Sequence, residues 1–145
     1  MARVLVVDDD EDIRVLVDGV LRIAGLTTTL VPSGVEALEA LAEGDLPALV
    51  ILDVQMPVLD GWSTLRRIRS DPRTAAVPVV LCTVKSSLDD TATGWTLGCD
   101  GYITKPFAIG DLVEEVNAVL ERGPEDRLVR REAALREIEL QHRVG

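Results

Sequence analysis

The sequence predicts an α/β fold, a doubly wound five-stranded parallel sheet with helices on both faces, on three observations. Short β-branched or apolar runs alternate five times with segments whose apolar residues recur at helical spacing. The runs 48–52 and 77–82 are apolar throughout instead of alternating, as expected of strands covered on both faces. Carboxylates, a hydroxyl and a lysine stand at the ends of such runs, where open α/β sheets carry their chemistry.

Residues 3–7 make the first strand and run directly into Asp8, Asp9, Asp10, Glu11 and Asp12. A carboxylate at Asp10 or Asp12 suits a helix cap, because it meets unpaired backbone N–H groups at the positive end of the helix dipole. Ile13, Leu16, Val17, Val20, Leu21 and Ala24 then keep helical spacing, and Gly25 ends it. Residues 27–31, rich in threonine, give the second strand. Pro32-Ser33-Gly34 turns the chain, with Ser33 as cap, into a helix through Val35, Ala37, Leu38, Ala40 and Leu41 that closes at Gly44.

The third strand, 48–52, delivers Asp53 and stops at a Met56-Pro57 turn. A short helix over 61–70 holds Leu65 and Ile68 on one side and breaks at Asp71-Pro72. The fourth strand, 77–82, leads to a helix opened by Ser86 or Ser87, through Leu88, Ala92 and Trp95 to Leu97, with Gly98 as its stop. Residues 101–104 are a brief fifth strand; after Lys105-Pro106 a fifth helix carries Ile109, Leu112, Val113, Val116 and Leu120. Right-handed crossovers then favour the flavodoxin-like strand order 2-1-3-4-5.

The domain is expected to span residues 1–122, with 123–145 as a helical tail or linker beyond Gly123-Pro124. Leu128, Leu135 and His142 lie seven apart, but the repeat is too short to distinguish a coiled coil from a solvated helix. The net charge of −10 speaks against direct nucleic-acid binding, which needs clustered Lys and Arg facing phosphates. The tail is balanced, five Arg against five acidic residues, so the whole excess lies before it. No apolar run approaches the roughly 20 residues that cross a bilayer. With no signal peptide at the start, a cytoplasmic location and no membrane partner are expected. Cys82 and Cys99 read as small core residues, and His142 stands in a polar tail unsuited to catalysis.

In this strand order the first and third strands are neighbours, so Asp8, Asp9 and Asp53 converge at one rim. Like charges so close raise pKa values unless a cation intervenes. With few carboxylates and no soft ligands in the pattern, Mg2+ is the expected ion and zinc is not. Thr83 and Lys105 bring a hydroxyl and an ammonium to the same rim. A carboxylate nucleophile, a divalent cation, a hydroxyl and a lysine suit phosphoryl transfer, which depends on positioning and on neutralising charge.

Val6-Val7-Asp8-Asp9-Asp10, Leu52-Asp53 with Met56-Pro57 and Asp60-Gly61, Thr83, Gly101-Tyr102 and Lys105-Pro106-Phe107 occur in order and at fitting spacings. Over about residues 2–122 the chain resembles a response-regulator receiver domain of two-component signalling. The resemblance implies that Asp53 accepts a phosphoryl group from a histidine kinase, or from a phosphotransfer protein. It implies Asp9 and Asp53 as direct metal ligands with the backbone carbonyl of Gln55, and Asp8 acting on the metal through water. Thr83 then matches the switch hydroxyl, Tyr102 the aromatic whose rotamer follows it, and Lys105 the lysine that pairs with the acceptor. Pro106 matches a position that often follows a cis peptide bond.

On that resemblance the chain is a phosphoacceptor that assists its own phosphotransfer and dephosphorylation, not an enzyme with a separate substrate. Its output passes to a partner of unknown identity, or to dimerisation, through helix 4, strand 5 and helix 5 or through the tail. Val84 stands where many receivers carry a small residue, so a long-lived phosphoryl state is expected. Trp95 is either a partner anchor on the output face or an inward-packed aromatic. Two other readings use the same sheet. A Mg2+-dependent phosphohydrolase wants a second carboxylate two residues after the nucleophile, where Gln55 stands. A flavodoxin-like cofactor binder wants a phosphate loop where five acidic residues lie. A receiver domain cut from a longer regulator with an output domain is the remaining alternative.

Overall fold

The computed structural model describes residues 2–144 and has the expected doubly wound architecture. The elements are β1 (Arg3–Val7), α1 (Glu11–Ile23), β2 (Thr27–Val31), α2 (Gly34–Ala42), β3 (Leu49–Leu52), α3 (Gly61–Ser70), β4 (Val79–Thr83), α4 (Leu88–Thr96), β5 (Gly101–Thr104), α5 (Ile109–Glu121) and α6 (Pro124–Val144). All strands run parallel in the order β2-β1-β3-β4-β5. Among the described residues, no helix is long and apolar enough to cross a membrane.

Local chemistry sets most of the element ends. Asp10, Ser33, Asp60 and Ser87 cap α1, α2, α3 and α4, each accepting from a backbone N–H of the first turn. Gly25, at φ 88°, closes the α1 end in a left-handed conformation that a side chain would oppose. The fourth strand differs from its expected span of 77–82. Pro78 has no N–H for a ladder, although its carbonyl accepts from Val50 N–H, and Thr83 stays in register with Thr104. The Thr83 hydroxyl is therefore on the last residue of a buried strand, not the first of a loop.

Helices α2, α3 and α4 cover one face of the sheet over Leu5, Val7, Val50, Leu52, Val79 and Leu81. Helices α1 and α5 cover the other over Val4, Val6, Leu49, Ile51, Val80 and Cys82. Successive strand residues alternate between the two cores, which is why these runs are apolar throughout. Both cysteines are free and buried; burial pushes the Cys82 thiol up to about 12, so neither is poised to react.

α6 packs along α4, burying Ala134 and laying Leu135 and Ile138 against the first core. Its anchor is Asp100, a buried carboxylate just before β5. Asp100 accepts from Val79 N–H and Arg69 Nη2, both at 2.9 Å, and from Arg131 Nη2 at 2.6 Å and Nε at 3.1 Å. Arg127 approaches to 3.6 Å. Burial lowers the Arg69 pKa to about 10, opposed by Asp100, so the guanidinium stays charged at neutral pH. Trp95 is buried, under the guanidinium of Arg130 at 5.1 Å from the ring centroid.

Candidate functional site

The carboxyl ends of four strands form the rim. β1 and β3 are paired with Val7 opposite Leu52, and Asp53 N–H donates to the Val7 carbonyl at 3.0 Å. The residues that follow them, Asp8, Asp9 and Asp53, therefore meet, and one carboxylate oxygen from each lies within 4.8 Å of the others. Asp8 and Asp53 are buried while Asp9 is exposed, so the cluster opens to solvent on one side.

Hydrogen bonds fix the two buried carboxylates. Asp8 Oδ1 accepts from Asp10 N–H at 2.9 Å, and Asp53 Oδ1 accepts from Gln55 N–H at 3.3 Å. The Asp8 backbone carbonyl accepts from Arg14 Nη1 at 2.6 Å. Lys105 bridges the pair, its Nζ 2.5 Å from Asp8 Oδ2 and 3.4 Å from Asp53 Oδ2. Lys105 is placed by its own N–H, which donates to the Thr83 carbonyl at 2.8 Å, ahead of the cis Lys105–Pro106 bond.

Burial raises the Asp53 pKa; the Lys105 charge opposes the shift and Asp8 adds to it. Burial opposes the ammonium of Lys105, but the Asp8 hydrogen bond and the Asp53 and Asp8 charges outweigh it and raise its pKa. Two carboxylates thus share one ammonium, which leaves negative charge over. The three groups that could ligate are carboxylates, a set that suits a hard divalent cation and not a soft one.

Thr83 and Tyr102 stand one step back. Thr83 is fully buried, and its Oγ1 accepts from Lys85 N–H at 3.2 Å. Tyr102 OH donates to the Lys85 carbonyl at 2.6 Å, and burial raises its pKa. Lys85 backbone atoms therefore connect the two switch candidates. Val84 is half exposed beside them, and Trp62 packs half-buried against the first core.

Gly61, legible in the sequence as turn and cap chemistry, has a second role. Its N–H donates to the Val54 carbonyl at 2.8 Å, and a Cβ there would stand 2.6 Å from Val54 Cα and overlap the Asp53 carbonyl oxygen. The α3 start is thus pressed onto the backbone that carries Asp53. Gly61→Ala is expected to cost about 2–3 kcal/mol of stability by overpacking, measured by denaturant melts. Arg14 was silent in the sequence because its contact is to a carbonyl. Between Met56 and Gly61, Val58 adopts φ 70° with its side chain in solvent, an uncommon conformation for a β-branched residue.

A family model described as the response regulator receiver domain matches residues 4–117. The chain is 40% identical over 120 residues to the transcriptional regulatory protein PrrA of Mycobacterium tuberculosis, covering 83% of this chain and 50% of PrrA. It is 37% identical over 122 residues to the DNA-binding dual master transcriptional regulator RpaA of Synechocystis, covering 84% and 50%. It thus spans about half the length of these relatives. The Francisella response regulator 1452 receiver domain superposes with a TM-score of 0.78 at 32% identity, over 84% of this chain and 98% of that one. The chemotaxis protein CheY4 of Vibrio cholerae does so with 0.77 at 30% identity, over 82% and 98%. Strand order, rim chemistry and similarity along most of the chain agree, and the chain belongs to the response regulator receiver domain family.

Proposed function

We propose that Asp53 is the phosphoacceptor of a signalling module that residues 1–122 form, with 123–145 as an appended helical segment. The observation that carries this reading is the convergence of Asp8, Asp9, Asp53 and Lys105 at one rim. An Asp53 carboxylate oxygen attacks the phosphorus of a kinase or phosphotransfer phosphohistidine. The P–N bond breaks and its electron pair returns to the imidazole. Asp9, Asp53 and the Gln55 carbonyl, with Asp8 acting through water, would hold Mg2+, which when bound would offset charge on the transferred oxygens. Lys105 neutralises what remains, and Thr83 turns from Lys85 N–H to a phosphoryl oxygen. Tyr102, tied to the same Lys85, follows.

Incubation with acetyl phosphate and Mg2+ is expected to add the mass of one phosphoryl group, mapped to Asp53 after borohydride reduction. Absence of the adduct, or an adduct elsewhere, would sink the reading. Lys105→Met is expected to slow labelling by roughly a hundredfold, the scale for loss of one charge-stabilising donor. Val84→Ala tests the lifetime: with Val84 half exposed beside Thr83, shortening it opens a route for water. The phosphoryl group is then expected to decay severalfold faster, and an unchanged rate would remove Val84 as the cause.

A second reading, a receiver within a longer regulator, is favoured by relatives that the match covers only to half their length and whose names mark them as transcriptional regulators. In that case the output passes through the segment after Gly123.

A further inference from the structure

α6 lies antiparallel along α4, over the side of the molecule formed by α4, β5 and α5. Near its start, Arg131 holds Asp100 and donates to the Cys99 carbonyl at 3.1 Å. One residue earlier, Arg130 covers Trp95 of α4, and in the middle Ala134 is buried. Near its end, His142 Nε2 lies 3.5 Å from Asp89 Oδ1 in the first turn of α4. Between α6 and the sheet is a cleft of about 320 Å³, bordered by Ser86, Leu88, Trp95, Tyr102 and Ile138.

Tyr102 closes the floor of that cleft. Its ring is stacked on Gly94 of α4, where a Cβ would come within 2.9 Å of Cε2. Its hydroxyl is held by the Lys85 carbonyl, and Lys85 N–H by Thr83. Contacts therefore run from Thr83 at the rim through Lys85 and Tyr102 to α4 and to the cleft beneath α6.

We propose that α6 is a built-in occupant of the α4–β5–α5 face, docked while Asp53 is unphosphorylated and partly released when it is phosphorylated. The proposal rests on Asp53 as phosphoacceptor and on Thr83 as the hydroxyl that turns toward the phosphoryl group. That turn takes the acceptor from Lys85 N–H, so the segment between β4 and α4 is freed to move. The Lys85 carbonyl moves with it and Tyr102 loses its partner, with open space beside it for the ring. Ser86 and Leu88 at the α4 start border the same space, and α6 grips α4 at Asp89 and Trp95. The Asp89 contact stands at the α4 end next to that segment, so it is the grip that the movement reaches. The Asp100 clamp involves β4, α3 and β5 and makes no bond to α4. The first turns of α6, with Arg130 on Trp95, therefore stay anchored while residues 134–144 lift away from Asp89 and from the cleft.

Hydrogen–deuterium exchange on the full chain in Mg2+, with and without beryllofluoride as phosphoryl mimic, tests this. Amides of 134–144 are expected to exchange at least tenfold faster with the mimic, on the order of the coupling that switching domains show, while those of 127–131 change little. Protection of the rim with α6 unchanged or slowed would overturn the release of α6 and leave Asp53 as acceptor. No response at the rim would remove both. Coupling is reciprocal, so loosening α6 must favour the phosphoryl state. Ile138→Glu, shown folded by circular dichroism, is expected to bind beryllofluoride roughly five- to 150-fold more tightly; unchanged affinity would also overturn the proposal.

Discussion

Asp53→Asn is expected to remove phosphoryl acceptance entirely and, at the same time, to make the metal-free protein more stable. The first effect follows from the missing nucleophile: an amide oxygen has no charge to attack phosphorus, and Asp8 is already bonded to Lys105. The second follows from burial, which raises the Asp53 pKa above its usual 3.8. A folded state that holds a proton more tightly than the unfolded chain is penalised when that proton leaves. The penalty is absent in acid, sets in as pH rises past the unfolded value, and is complete above the raised folded value. Asparagine never carries it. Thermal melts without metal should therefore coincide near pH 3 and separate by a few degrees at pH 7, with Asp53→Asn the higher. Equal melting at pH 7 would contradict the burial argument. Mg2+ should reverse the order, since a ligand at ten times its Kd stabilises by about 1.4 kcal/mol and the variant lacks one of its donors.

The other large effect belongs to the far end of the sheet. Asp100→Leu is expected to cost about 3–5 kcal/mol, the scale for breaking a buried ion pair by removing one partner. Arg69 and Arg131 both lose their carboxylate, and Val79 N–H loses its acceptor. At about 3 °C per kcal/mol for a chain of this size, melting should fall by roughly 10 °C. Asp100→Asn keeps an acceptor for Val79 and should fall less. Acetyl phosphate labelling below the melting transition should continue in both, because the rim is built from the opposite strand ends. A loss under about 1 kcal/mol in denaturant melts would mean that the arginines find water or other carbonyls instead.

The two sites differ in how far the sequence exposed them. The rim was readable because each part sits at a strand end, and strand ends follow from apolar runs; Asp8, Asp9, Asp53, Thr83 and Lys105 then fall together once the strand order is set. Asp100 was not readable. It stands between Cys99 and Gly101 as one acidic residue among many, and its partners come from α3 and α6. For the same reason 123–145 offered only good helix formers. The residues that hold α6, Arg127, Arg130 and Arg131, look like a solvated face until Asp100 and Trp95 are placed beneath them. Gly61 was half readable: the cap pattern was plain, whereas the contact with the Asp53 backbone depends on how closely α3 approaches β3.

The bond from Lys105 to Asp8 joins residues 97 positions apart. During synthesis the chain emerges from its N-terminus at roughly 5–20 residues per second, so Asp53 is made seconds before the lysine it needs. Parallel pairing of distant segments is also slow to nucleate, because loop closure must precede any gain from contact. Asp8, Asp9 and Asp53 therefore lack their cation until the segment that carries Lys105 adds itself to the sheet. A truncated or half-made chain would display the aspartate without the means to use it, and chemical competence would mark the completion of folding.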